Sequence, residues 1–231
     1  MLELANVDAY YGNSRALQSV GLRVEDGEML SVLGRNGVGK TTLLRAILGL
    51  MDRVTGSIRL DGREIIAERT SDRAKGGIGY VPQGRGILPK FTVLENLKLG
   101  LFANPKAHGR VYEEVFMLFP VLKEHLHRLG GNLSGGQQQQ LAIARALITD
   151  PKVMLFDEPT EGIQPNIVEE IEEIIIRLNR ERGIAIVLVE QNVAFVRRAS
   201  QRFAIMEKGS IAATGPVEAL SEAVVHRYLT V

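Results

Sequence analysis

The 231-residue sequence predicts an α/β fold on two observations. Toward the C-terminus, short apolar segments of strand length alternate with segments of helical periodicity, a pattern typical of parallel strands joined by crossover helices. The N-terminal region instead shows strand and turn patterns that favour antiparallel pairing. With 45% hydrophobic residues the chain can bury a sizeable core, and its length fits one domain with an insertion.

The N-terminal region is predicted to form an antiparallel β subdomain. Residues 17–24 alternate imperfectly between apolar and polar, and Asp26-Gly27 provides a turn. Residues 57–60 and the following Asp61-Gly62 give a second strand and turn.

Residues 29–48 predict a strand, a glycine-rich loop and a helix. Residues 34–42, with the sequence GRNGVGKTT, match G-x-x-x-x-G-K-[ST], and helix N-termini bind phosphate through unpaired N–H groups. A chance glycine-rich turn is the alternative, but both flanking elements are where a phosphate-binding loop (P-loop) needs them. The core is therefore predicted to be that of a P-loop NTPase. The residues expected to hold the phosphates are Gly34, Asn36, Gly37, Gly39, Lys40, Thr41 and Thr42.

The positive charge of Lys40 and the hydroxyl oxygen of Thr41 indicate a specific role for each of these two residues. Lys40 is expected to reach the β- and γ-phosphates as a point charge. Thr41 is expected to place its hydroxyl on Mg²⁺.

The middle of the chain, about residues 84–150, is helix-rich and is predicted to be an inserted helical subdomain. Residues 1–83 and 151–231 would then form the nucleotide-binding core. Within the insertion, residues 133–137, Leu-Ser-Gly-Gly-Gln, form what we call the signature segment. Ser134 and Gln137 match the capping box S-x-x-Q, and Gly135 and Gly136 leave N–H groups open to an anion. The segment is either a second phosphate site or only a capped helix start.

The C-terminal region predicts alternating strands and helices at residues 153–156, 166–180, 184–189, 192–200 and 203–206. The first of these strands delivers Asp157 and Glu158 to the carboxyl edge of the sheet, where α/β folds bind ligands. Asp157 is expected to hold Mg²⁺ directly or through water, and Glu158 to orient and deprotonate the attacking water. The alternative is that both acids only cap the next helix.

The P-loop, the signature segment and the Asp157-Glu158 strand, in that order, resemble the nucleotide-binding subunit of an ABC transporter over essentially the whole chain. The resemblance implies an ATPase with ATP and Mg²⁺ as cofactors. It also implies that two subunits pack head to tail, with the signature segment of one closing over ATP held by the other.

Single positions extend the resemblance. Tyr11 resembles the aromatic that stacks on adenine, although it could be only a half-buried strand tyrosine. Gln83 resembles the glutamine that touches Mg²⁺ and links the core to the helical subdomain, and residues 84–96 would then dock a permease. Gln191 stands where most relatives have a histidine that contacts the γ-phosphate, and Gln164 where an aspartate is usual. The resemblance implies catalytic roles for Glu158, Gln191 and Lys40.

The same motifs are similar to those of branched-chain amino acid importers, and within that group most similar to the second ATP-binding subunit of bacterial urea importers. Urea or short amides are therefore the expected solute, and branched-chain amino acids the alternative. The implied partners are two transmembrane permeases, a second ATP-binding subunit or another copy of this chain, and indirectly a periplasmic solute-binding protein. A soluble ABC-type ATPase without a permease is the remaining alternative.

Charge and hydropathy suggest where the protein works. A net charge of +1 gives no reason to expect a nucleic-acid partner. No signal peptide is evident, and the aliphatic run at residues 184–189 is far shorter than the roughly 20 residues of a spanning helix. We expect a cytoplasmic protein on the inner face of the plasma membrane, held there only by permeases.

Overall fold

The computed structural model describes residues 1–104 and 109–229, and within them two β-sheets form the framework. The strands are β1 (Leu2–Tyr11), β2 (Ser14–Val24), β3 (Met29–Leu33), β4 (Arg53–Leu60), β5 (Arg63–Glu64), β6 (Ile78–Val81), β7 (Val153–Asp157), β8 (Ala185–Val189), β9 (Arg202–Glu207) and β10 (Ser210–Pro216). The helices are α1 (Lys40–Leu48), α2 (Thr70–Lys75), α3 (Val93–Leu99), α4 (Gly109–Leu118), α5 (Pro120–Glu124), α6 (Gly135–Leu147), α7 (Pro165–Arg180), α8 (Val193–Ala199) and α9 (Glu222–Tyr228).

The larger sheet has the strand order β10-β9-β3-β8-β7-β6. Its strands are parallel, except that β10 runs antiparallel to β9. Every residue of β3, β7 and β8 is buried, because helices or the second sheet cover both faces. The predicted α/β class and the C-terminal alternation of strands and helices are confirmed.

The smaller sheet is antiparallel, in the order β2-β1-β4-β5, which confirms the N-terminal prediction. Sequence patterns did not predict β1. Its buried positions are Leu2 and Leu4 and then Val7 and Ala9, so the alternation changes phase. The cause is an irregularity in the pairing at Asn6, whose φ is 51°.

Two large cores lie on opposite faces of the six-stranded sheet. One joins α1 and the antiparallel sheet to residues such as Leu30 and Val32. The other core contains residues of helices α3, α4, α5, α6 and α7 together with sheet residues such as Met29 and Phe156, so these helices pack directly on the sheet. Within residues 1–104 and 109–229, each helix is too short or too polar to cross a bilayer.

A buried arginine connects α2 to the end of α1. Arg73 is 1% exposed, and its guanidinium donates to the carbonyl oxygens of Ala46 (2.9 Å), Ile47 (2.7 Å), Ile66 (2.7 Å) and Glu68 (3.0 Å). The last carbonyls of a helix have no partner within it. Arg73 supplies one, so the end of the P-loop helix is fixed by a side chain from the next helix.

Replacing Arg73 by Met should lower the free energy of unfolding by about 3 kcal/mol, because several buried carbonyl groups lose their donors. Urea denaturation of the purified chain measures the change. Arg59→Met, at a half-exposed arginine near Glu64, is the matched control and should change stability by less than about 0.5 kcal/mol. Equal losses in the two variants would contradict the role of Arg73.

Candidate nucleotide-binding site

The P-loop connects the buried strand β3 to α1. Gly34 has φ 152°, and a Cβ there would lie 2.6 Å from the carbonyl oxygen of Met206, so only glycine fits this close approach. Gly39, with φ 112°, is the N-cap of α1. Because Gly39 has no side chain, the first N–H groups of the helix remain available to an anion.

Lys40 lies between the P-loop and Glu158. Its side chain is 5% exposed, and its Nζ donates to the carbonyl oxygens of Gly34 (2.7 Å) and Arg35 (3.1 Å). The same nitrogen is 3.4 Å from Glu158 Oε1. The ammonium is therefore held inside the site rather than in solvent.

A cavity of about 540 Å³ opens beside the loop. Its lining contains these predicted residues: Tyr11, Asn36, Gly37, Gly39, Lys40, Thr41, Thr42, Gln83 and Glu158. The sequence analysis missed other lining residues, namely Arg15, Ala16, Val38, Lys208 and Gly209.

The missed lining residues come together through backbone pairing. Gln18 N donates to Gly209 O (2.8 Å), and Gly209 N donates to Val38 O (2.9 Å). The turn between β9 and β10 is thereby joined to β2 and to the P-loop. Residues so far apart in the chain form no local motif.

Hydroxyl and carboxylate oxygens meet at the end of β7. Thr41 Oγ1 donates to Asp157 Oδ1 (3.1 Å), and the Tyr80 hydroxyl donates to Asp157 Oδ2 (3.4 Å). Asp157 is 1% exposed. Burial raises its pKa, and Glu158 raises it further, while Thr41, Tyr80 and Lys40 oppose the shift. Burial also raises the pKa of Tyr80, which keeps its hydroxyl protonated as a donor.

These oxygens fit the chemistry of Mg²⁺, which takes hard oxygen ligands and usually one or two carboxylates besides phosphate. Thr41 lines the cavity, and the buried Asp157 lies behind it, within hydrogen-bond distance. Gln83 lines the same cavity, but among the described residues its amide nitrogen bonds to Glu161 Oε2 (2.7 Å) instead of joining Thr41 and Asp157.

Glu158 and Gln191 are hydrogen-bonded. Gln191 Nε2 donates to Glu158 Oε1 (2.8 Å) and to Asn36 Oδ1 (2.9 Å). Glu158 has φ 47°, a left-handed conformation that costs a non-glycine residue free energy and often marks functional sites. Its N–H donates to Val189 O (3.0 Å). The three residues predicted to be catalytic, Lys40, Glu158 and Gln191, are thus one cluster.

Glu190 supports this cluster and was missed by sequence reasoning. The carboxylate is 4% exposed and accepts from the N–H groups of Gln191 (2.7 Å) and Asn192 (3.1 Å) and from Thr160 Oγ1 (3.0 Å). It fastens the turn that carries Gln191 to the loop after Glu158. Its signal in the sequence was an acid at the end of an apolar strand, the same signal that identified Asp157.

The signature segment forms the predicted capping box. Gln137 N donates to Ser134 Oγ (3.3 Å), and Ser134 N donates to Gln137 Oε1 (3.0 Å). A Cβ at Gly136 would lie 2.4 Å from Ile167 Cγ2, so α7 packs tightly against this helix start. Gly135, Ser134 and their neighbours do not line the cavity among its described residues. A single chain therefore does not bring the signature segment to its own P-loop.

Two further residues singled out from the sequence, Tyr11 and Gln164, lie at the ends of a strand and a helix. Tyr11 is the last residue of β1; the residue is 41% exposed, and its hydroxyl is 3.5 Å from Thr42 Oγ1. The Arg45 guanidinium lies 5.7 Å from the ring centre. Gln164 is the N-cap of α7, with its side chain exposed. The position of Tyr11 is compatible with both interpretations given above.

A P-loop with a carboxylate-bearing strand beside it, on a fold with an antiparallel sheet and a capped signature helix, defines an ATP-binding cassette of the ATPase class. Residues 17–161 match the family model described as ABC transporter, and this chain belongs to that family. It is an ATPase whose hydrolysis of ATP is coupled to transport.

The similarity of this chain to individual members of the family supports this assignment. The chain is 41% identical over 212 residues to the high-affinity branched-chain amino acid transport ATP-binding protein BraG of Pseudomonas aeruginosa, covering 91% of each chain. It is 34% identical to the glutamate/aspartate import ATP-binding protein GltL of Escherichia coli, covering 95% of this chain and 92% of the relative. A solved dimer of an ATP-binding cassette in a post-hydrolysis state, bound to ADP and Pi, superposes with a TM-score of 0.82 at 28% identity, covering 94% and 99%.

Gln191→Ala should lower turnover more than ATP affinity, because it removes a donor from Glu158 without touching the P-loop backbone. We expect a decrease in kcat of about tenfold, equivalent to about 1.4 kcal/mol, with KM changing less than about twofold. Steady-state hydrolysis across ATP concentrations measures both constants. Equal loss of kcat and of affinity would count against a role for Gln191 in the transition state.

Proposed function

We propose that this chain is the ATP-hydrolysing subunit of an importer for branched-chain amino acids. The observation that carries the proposal is the 41% identity to BraG over 91% of both chains. It favours the branched-chain alternative over urea, the solute first expected from the motifs. The names of the relatives as transport or import subunits also favour transport over a soluble, permease-free ATPase.

In the proposed mechanism the P-loop amides and Lys40 hold the phosphates of ATP. Thr41 and Asp157 would hold Mg²⁺, which would neutralise phosphate charge. Glu158 accepts a proton from the water that attacks the γ-phosphorus, as the bond from that phosphorus to the β-phosphate oxygen breaks. Gln191 orients Glu158 through its 2.8 Å hydrogen bond.

Three site assignments remain proposals that extend this scheme. Tyr11, which lines the cavity, stacks on adenine. Gln83, whose amide nitrogen is hydrogen-bonded to Glu161, would add its side-chain oxygen to the residues that hold Mg²⁺. Gln164, at the start of α7, faces the other subunit in the dimer.

We further propose that two ATP-binding subunits close head to tail around ATP. Ser134, Gly135, Gly136 and Gln137 would then contact the γ-phosphate held by the opposite P-loop. The exclusion of the signature segment from its own cavity supports this arrangement, and so does the dimeric form of the similar solved cassette. The second subunit is a related ATPase or another copy of this chain, and both dock on two permeases at the inner membrane face.

Glu158→Gln should preserve ATP binding and stabilise the ATP-bound dimer, because the amide keeps the shape of the carboxylate but accepts no proton. Turnover should fall by about 100-fold or more, the usual contribution of a general base. Hydrolysis rates and size-exclusion chromatography with and without ATP measure the two effects. Glu181→Gln, at an exposed acid in the i,i+4 pair with Arg177, is the control. Unchanged hydrolysis in Glu158→Gln would remove Glu158 as the base.

Co-purification tests the transport proposal. Mass spectrometry of proteins recovered with this chain from detergent-solubilised native membranes, in the presence of ATP, should identify two permeases and a second ATP-binding subunit. The associated solute-binding protein should bind leucine, isoleucine or valine in calorimetry and should not bind urea. Urea binding would restore the first expectation. Recovery of soluble partners alone would favour the permease-free ATPase.

A further inference from the structure

The segment that follows β6 contains an arginine in a disfavoured backbone conformation. Arg85 has φ 73°, in the left-handed region that most L-residues avoid. Its neighbours Gly84 and Gly86 also have positive φ, which glycine adopts without strain. Glycine would adopt this backbone conformation at position 85 with less strain. The backbone alone therefore gives no reason for an arginine here, and the reason must lie in the contacts of its side chain.

The Arg85 guanidinium touches two motifs at once. Its Nη1 donates to Gln138 Oε1 (3.1 Å) in α6, and its Nη2 donates to Gly162 O (3.2 Å) in the loop after Glu158. It also lies against the signature segment, since a Cβ at Gly135 would be 3.0 Å from Nη2. A planar guanidinium with fixed donor directions sets both the distance and the angle between its partners.

Other hydrogen bonds continue this connection. Gln138 Nε2 donates to Leu133 O (3.1 Å), the residue just before Ser134. On either side of Arg85, Gln83 donates to Glu161 (2.7 Å), and Arg145 of α6 donates to Gly86 O (2.9 Å). Residues 83–86 are thus tied both to α6 and to the loop that begins at Glu158.

We propose that Arg85 is a positioning residue for ATP hydrolysis, which holds the signature segment at a set distance from the Glu158 loop of the same chain. In a head-to-tail dimer these two segments serve different ATP sites. Their separation within one chain therefore decides whether both sites can close together. This inference rests on the proposed dimer, and on the ATPase activity established for the family, but not on the identity of the solute.

The decisive variant is Arg85→Gly, which removes the guanidinium and relieves the backbone. We expect the kcat for ATP to fall by about tenfold, with KM changing less than about twofold and the melting temperature unchanged or raised. Arg85→Lys should behave similarly in kcat, because one ammonium cannot bridge Gln138 and Gly162 as the guanidinium does. Arg177→Met, at an exposed arginine of α7, should leave kcat unchanged.

Two further measurements separate positioning from stability. Hydrogen–deuterium exchange of full-length Arg85→Gly should increase at residues 130–138 and at 158–164 together, and this holds whether or not the chain dimerises. In a double-mutant cycle, Gln138→Met and Arg85→Met should each lower kcat, and the double variant should lose little more than either alone.

Wild-type kcat with unchanged exchange in Arg85→Gly would overturn the proposal. So would a lowered melting temperature, which would assign Arg85 to fold stability.

If wild-type chain hydrolyses ATP without forming an ATP-dependent dimer, the proposed dimer fails. Paired changes in exchange would then still support the contact network of Arg85, whereas additive losses in the cycle would reject it. The two proposals can thus fail separately.

Discussion

The burial of β3 at the centre of the six-stranded sheet is the constraint on which the rest of the site depends. β3 lies between β8 and β9, and all its residues are buried. The chain leaves this strand so close to Met206 that Gly34 has no room for a Cβ. This close approach limits the path of the P-loop, which leads to Lys40 at the start of α1, next to Glu158.

Much of this arrangement could be predicted from the sequence because it follows from local motifs and one topological rule. Thr41 and Asp157 are 116 residues apart and form a hydrogen bond, since the carboxyl ends of parallel strands share one edge of the sheet. The capping box of Ser134 was predictable for a simpler reason, as both partners lie within one helical turn. The roles of these residues with ATP and Mg²⁺ remain predictions.

What the sequence did not predict depends on contacts between segments that share no pattern. Lys208 and Gly209 reach the cavity only because a turn pairs with β2 and the P-loop. Glu190 and Arg85 are polar residues with partners far along the chain: the Thr160 hydroxyl for Glu190, and the Gln138 amide and Gly162 carbonyl for Arg85. The strand β1 was missed because the irregularity at Asn6 shifts its alternation by one residue. In each case tertiary pairing, rather than local preference, determines the structure.

The contacts of Lys40 have a consequence for ligand discrimination. Its ammonium already has two carbonyl oxygens and a carboxylate nearby. An incoming anion would therefore have to replace these partners, because the ammonium is not an unpaired charge. A weakly charged anion that reaches only Lys40 gains little from such an exchange. A longer polyphosphate would also reach the first N–H groups of α1, which no side chain caps, and would gain hydrogen bonds that a single phosphate group cannot make. In the proposed nucleotide site, the preformed contacts of Lys40 would therefore act as a threshold that favours a polyphosphate over a single phosphate group.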